Sequence, residues 1–233
     1  MAVTKICVAP FDALALAVDP PLALTLSVLF AALAEGLIEA DYLAKRPGKI
    51  FVDHYFDNPI TASYIAFLAS HNPHLRTRRN LAALAILANM PGGGISRPDI
   101  LTDSGGLKEY YEIKPDSAAG SAAGAAKLIA IIGFMGIFTL PYAPGITFTP
   151  TPSIPLGSGT IPTVGGPVPF SATLGVARTK AGLIQYKGCV ETDFVKVGVT
   201  VLVIIAIVII IILTKRVPIP IPVPGGAPVP VLI

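Results

Sequence analysis

Asp99, a step of thirteen residues to Glu112, then Ile113 and Lys114 carry the most concentrated chemistry in the chain. Residues 110–114 alternate as a strand does: Tyr110, Glu112 and Lys114 share one face, and Tyr111 and Ile113 point to the other. An apolar back face then leaves a carboxylate and an ammonium side by side at the front. Between the two acids lies Ser104-Gly105-Gly106, a turn signal that could fold one strand back on the next and bring Asp99 beside Glu112. Two carboxylates so placed form a hard oxygen site for Mg²⁺ or Mn²⁺. The lysine stands where it can act on a metal-bound water.

Pro98-Asp99, a gap, then Glu112-Ile113-Lys114 resembles the signature of the PD-(D/E)XK, or restriction-endonuclease-like, nuclease superfamily, over residues 55–135. The resemblance implies an α/β fold, with a core of a small mixed sheet flanked by helices. It also implies metal-dependent hydrolysis of phosphodiester bonds, with DNA favoured over RNA. Asp99 and Glu112 would ligate the metal with help from the backbone carbonyl of Ile113, and Lys114 would orient or activate the attacking water. Relatives often take another acid from a helix ahead of the Asp strand, for which Glu35 and Glu39 are both candidates. They frequently carry Gln on the helix that follows, where this chain has Lys127. The competing reading is an exposed hairpin whose charges solvate its open face.

The elements that must position these residues are mostly helical. Leu22, Leu26, Leu29, Leu33 and Leu37 recur at helical steps behind Pro20-Pro21, predicting a core helix over 20–42 that Lys45-Arg46-Pro47-Gly48 ends. Glu35 and Glu39 make a membrane-spanning reading of it unattractive. Asn58-Pro59 introduces a second helix, broken near His71-Asn72-Pro73, and 81–90 continues as a third. Arg76, Arg78 and Arg79 form the densest basic cluster, either a solvated helix start or, in a nuclease, the phosphate-contacting patch. After Lys114, Asp116 or Ser117 can cap a helix over 118–138, on which Gly120 and Gly124 permit close contact.

Charge divides the chain unevenly. Residues 1–120 hold 10 Lys/Arg and 12 Asp/Glu, leaving 7 and 2 for the rest, and the net +3 is too small to argue for nucleic acid by itself. The front half therefore reads as a water-soluble domain, and the resemblance implies that residues 1–140 are a helical N-terminal region plus a nuclease-like core. Cys7 and Cys189 fit no metal-ligand spacing; they could pair, but do not make a disulfide framework. The start of the chain lacks the apolar core of a cleavable signal peptide. Residues 141–196 are rich in Pro, Gly and Thr, a linker or small β lobe with short strands possible at 145–149 and 183–187. The uncharged run 197–214 would make a helix about 27 Å long, close to the roughly 30 Å hydrocarbon core, and reads as a transmembrane helix. The apolar tail 215–233 alternates Pro with Ile or Val and is expected to be extended.

A nuclease joined to a hydrophobic segment resembles the toxin effectors that bacteria deliver to competitors through secretion machines. The expected partners are nucleic acid, a membrane or a covering chaperone or assembly for 197–233, and an immunity protein. The expected location is membrane-associated or secreted. A membrane-anchored interaction protein and a particle-embedded structural component are the non-enzymatic alternatives.

Overall fold

Pro10 and Pro20 open the first two helices, at positions where a missing backbone N–H has no intrahelical partner to lose: α1 (Pro10–Ala17) and α2 (Pro20–Lys45). The structure is a computed structural model and describes residues 3–17, 19–46, 50–52, 60–88, 95–161, 165–193, 220–221 and 229–230. The 197–214 run, and with it the expected transmembrane helix, lies outside the described residues, as does most of the tail. Around α1 and α2 the order is β1 (Thr4–Val8), β2 (Ile50–Val52), α3 (Ile60–His71), a 3₁₀ turn (Pro73–Arg76) and α4 (Arg78–Ala88). Then come β3 (Ile100–Ser104), β4 (Leu107–Pro115), α5 (Ala118–Ile137), β5 (Ala143–Pro144), β6 (Ser153–Ile161), β7 (Val168–Lys180) and β8 (Leu183–Thr192). The class is α/β with a mixed sheet, because β3 and β4 pair antiparallel while β5 joins β4 in parallel.

Contacts divide the chain into two interleaved units, residues 1–34, 152–176 and 186–233 in one, 35–151 and 177–185 in the other. The backbone passes between them inside α2, between Thr151 and Pro152, and inside β7 and β8. In the first unit β6 and β7 pair antiparallel, and β1 lies antiparallel to β8 with Cys7 opposite Cys189. Those cysteines are joined in a disulfide. Along β7, Val168, Phe170, Ala172, Leu174 and Val176 are buried at every second position, the period of a strand with one core face. Two-residue strands β9 (Pro220–Ile221) and β10 (Val229–Pro230) pair antiparallel, extended as alternating proline requires.

The second unit is built on the β3–β4 hairpin. Gly105 and Gly106 have φ of +58° and +84°, the paired left-handed conformations of a two-residue turn that matches strand twist. The turn sets the register Ile100↔Tyr111 and Ser104↔Leu107. β2 adds to the outer side of β3. On one face of the hairpin, Leu101 and Tyr110 join Tyr64 and Leu68 of α3, Leu84 of α4 and Leu128, Ile131, Phe134 and Met135 of α5 in one apolar cluster. On the other, the Tyr111 ring meets Tyr42 and Phe148, at centroid distances of 5.7 and 5.9 Å. Both faces of β4 are thus covered, so the exposed-hairpin alternative does not describe it.

Two local expectations need correction. The buried stripe of α2 is Ala23, Leu26, Phe30, Ala34, Ile38 and Tyr42. It shares only Leu26 with the leucine row; Leu29, Leu33 and Leu37 are half-buried beside it, and Leu22 is exposed. Residues 145–149 form no strand. The backbone N–H of Gly145 donates to Tyr110 O, those of Ile146 and Thr147 to Glu109 Oε1, and that of Phe148 to Tyr111 Oη. Side-chain acceptors there replace a strand ladder. Among the described residues two helices, α2 and α5, are long and apolar enough to cross a membrane, and each carries a buried stripe.

Candidate active site

The register that pairs Ile100 with Tyr111 places Asp99, one residue before β3, across from the Glu112–Ile113 peptide. The backbone N–H of Ile113 donates to Asp99 Oδ2 at 2.6 Å, which fixes that carboxylate against the edge of β4. Glu112 is wholly buried, and its own N–H donates to Gly182 O at 2.8 Å. The two carboxylates share two ammonium groups. Lys114 Nζ forms an ion pair with Glu112 Oε1 and lies 3.7 Å from Asp99 Oδ2. Lys127 Nζ, on α5, lies 3.2 Å from Glu112 Oε1 and 3.8 Å from Asp99 Oδ1. Glu112 Oε2 has no hydrogen-bond partner among the described residues.

Two glycines allow α5 to come this close. Ser117 caps the helix, its Oγ accepting from the N–H of Gly120 at 3.0 Å. A Cβ on Gly120 would fall 2.2 Å from Pro115 O, and one on Gly124 would fall 2.6 Å from Leu183 Cδ1 and 3.3 Å from Lys114 Cγ. Gln185 braces the same junction by donating to Pro115 O at 3.2 Å and Ser121 Oγ at 2.8 Å.

The electrostatics follow from burial. Desolvation, then the Asp99 carboxylate, push the Glu112 carboxyl up to about 7 against the pull of the lysines. Glu35, on α2, is pushed up to about 8, first by burial and then by Asp99, with Glu112 adding to it. The charge of Glu35 is therefore coupled to Asp99, Glu112, Lys114 and Lys127. Glu39, one turn on, is buried as well. Burial by itself would lower the Lys114 ammonium, but Asp99 and Glu112 raise it well above the usual lysine range.

The carbonyl of Ile113 accepts from Lys114 Nζ at 2.9 Å. Arg76, Arg78 and Arg79 sit on the 3₁₀ turn and the first turn of α4, all exposed. Arg76 Nε donates to Ala69 O at 3.0 Å. The ion pairs around Asp99 and Glu112 do not include these arginines. His74 is a structural tether, with Nε2 donating to Phe138 O at 2.8 Å. Among the described residues, no three His, Cys, Asp or Glu side chains gather as a ready metal-binding group. The donor set that suits a hard cation is Asp99, Glu112 with its unpartnered Oε2, and the Ile113 carbonyl, all oxygen.

Sequence reasoning left Lys127 without a role and overlooked Glu109. Lys127 is the only charged residue between Asp116 and Arg178, a signal that it has a charged partner in the fold. Glu109 is buried. Burial opposes its charge, but bonds from Ile146, Thr147 and Tyr111 hold its carboxyl below the ordinary range. It is a scaffold for the 145–148 segment, and no residue spacing announced it. Compared with known protein families, with curated proteins and with solved structures, the chain finds no match in any of the three.

Proposed function

We propose that the chain is a metal-dependent nuclease of the restriction-endonuclease-like kind, hydrolysing phosphodiester bonds in DNA. The observation that carries the reading is the buried Asp99–Glu112 pair flanked by Lys114 on adjoining strand positions. Support also comes from the order of elements: a helix bearing Glu35, then an antiparallel hairpin bearing Asp99 and Glu112, then a packed helix. Asp99, Glu112 and the Ile113 carbonyl would hold Mg²⁺ or Mn²⁺, which when bound supplies a polarised water and positive charge for the phosphate. Lys114, kept protonated by its two carboxylates, acts as a hydrogen-bond donor. It orients the attacking water and offsets negative charge on the phosphate, and it is not the group that accepts a proton. Arg76, Arg78 and Arg79 are offered as phosphate contacts along the nucleic-acid backbone.

Delivery as an antibacterial toxin belongs to the same proposal, with 197–214 entering a membrane or a covering partner and an immunity protein as the natural antagonist. The Cys7–Cys189 disulfide favours an oxidising destination. The test is cleavage of duplex DNA by the purified full chain. Cleavage should require Mg²⁺ or Mn²⁺, stop with chelator, and be abolished by Glu112→Gln. Lys114→Ala, which removes one preorganised donor, should lower the rate by roughly 10²–10³. Wild-type protein inert with both metals would defeat the proposal.

A further inference from the structure

We infer that Lys127 is an internal counter-cation that a divalent metal must displace from the Asp99 and Glu112 carboxylates; the inference rests on the nuclease reading of this site. Asp99 and Glu112 bring two negative charges, and Lys114 and Lys127 bring two positive ones within 3.8 Å of them. Each carboxylate thus already has ammonium groups beside it. A divalent ion would face two ammonium groups at the carboxylates it has to bind, so one ammonium has to leave.

Geometry selects which. Lys114 is tied to the Ile113 carbonyl at 2.9 Å and paired directly with Glu112, and its side chain is 21% exposed. Lys127 stands further off, at 3.2 and 3.8 Å, with its side chain 36% exposed. It reaches in from α5 on a flexible four-carbon stem, so its ammonium can swing toward water without moving the helix. Glu112 Oε2, wholly buried, makes no hydrogen bond among the described residues and offers a cation a second acceptor. Lysine at this position thus keeps the metal-free carboxylates from repelling each other, at the expense of metal affinity.

The test measures Mn²⁺ binding to the full chain by titration calorimetry, without substrate, for wild type, Lys127→Met, Lys127→Gln and Glu112→Gln. Both Lys127 variants should bind Mn²⁺ tighter by on the order of tenfold, since they remove a competing like charge, and Glu112→Gln should lose binding. Unchanged or weaker affinity in both Lys127 variants, with wild type binding normally, would overturn the inference and leave the nuclease reading standing. Absence of Mn²⁺ binding in wild type and variants alike would overturn both. A readout on wild type alone covers variants that fail to fold. Acetylation of the Lys127 amine by acetic anhydride, followed by mass spectrometry, should rise several-fold when Mg²⁺ is added; labelling indifferent to Mg²⁺ would also overturn the inference.

Discussion

Glu35 and Glu112 are acids that the fold makes hard to ionise, and this has a measurable sign. An unfolded Glu35 loses its proton near 4.5, whereas the folded one keeps it to about 8, chiefly because of burial and then Asp99. Folding therefore takes up a proton between those values, and stability falls as pH rises through that window. Glu112, held up to about 7, adds to the same trend. Glu109 and Asp41 do the opposite. Each is buried enough to be opposed in its charge, yet hydrogen bonds from 146–147 and from Thr151 lower its pKa, so its contribution is lost as pH falls. Glu35→Gln should therefore leave thermal stability nearly unchanged at pH 5, where the native side chain is already neutral, and raise it at pH 9, where the native side chain is charged. Melting curves with chelator present decide the matter. A variant destabilised equally at both pH values would show that Glu35 is held by bonds to its charged form and not strained by burial.

At the scale of elements, the site depends on a turn and a close approach. The two-glycine turn fixes which residue of β4 faces Asp99, and a slip of one residue would send Glu112 to the opposite face. α5 then brings Lys127 in over Gly124. Gly124→Val would place carbon against Leu183 and Lys114, and overpacking of this kind costs about 1–3 kcal/mol. We expect a lowered melting temperature together with tighter Mn²⁺ binding, because a helix pushed away from β4 takes the competing Lys127 ammonium with it. Unchanged Mn²⁺ affinity in Gly124→Val would mean that Gly124 does not set the place of Lys127. The hairpin, its glycine turn, a helix cap at Asp116 or Ser117 and the pairing of Asp99 with Glu112 were legible in the sequence because each rests on local spacing. Lys127 and Gln185 were not, since they reach the site from α5 and β8 through packing that no local pattern encodes. The 145–149 segment was misread for a related reason. Its backbone donors go to Glu109 and Tyr111, and a buried carboxylate serving as a backbone acceptor has the same letter as a surface glutamate.

Over the whole molecule, the chain's order and its packing disagree. The charge and composition shift near residue 141 suggests a front domain that ends there, yet the unit holding the site also includes 141–151 and 177–185. Gly182 O receives the N–H of Glu112, Leu183 enters the apolar cluster, and Gln185 braces the start of α5. Ile146 and Thr147 hold the buried Glu109. A fragment 1–140 would lack all of these. Stripping a buried charge of its partners costs about 3–5 kcal/mol by itself, a large part of the roughly 5–15 kcal/mol that keeps a protein folded. A fragment 1–193 keeps every one of them and both cysteines, and it discards the long uncharged run. We therefore expect 1–193 to stay soluble without detergent, unfold in one cooperative thermal transition and bind Mn²⁺, and 1–140 to show neither transition nor binding. Circular dichroism on the two fragments separates the outcomes. A cooperative, Mn²⁺-binding 1–140 would mean that the later strands decorate the site and do not build it.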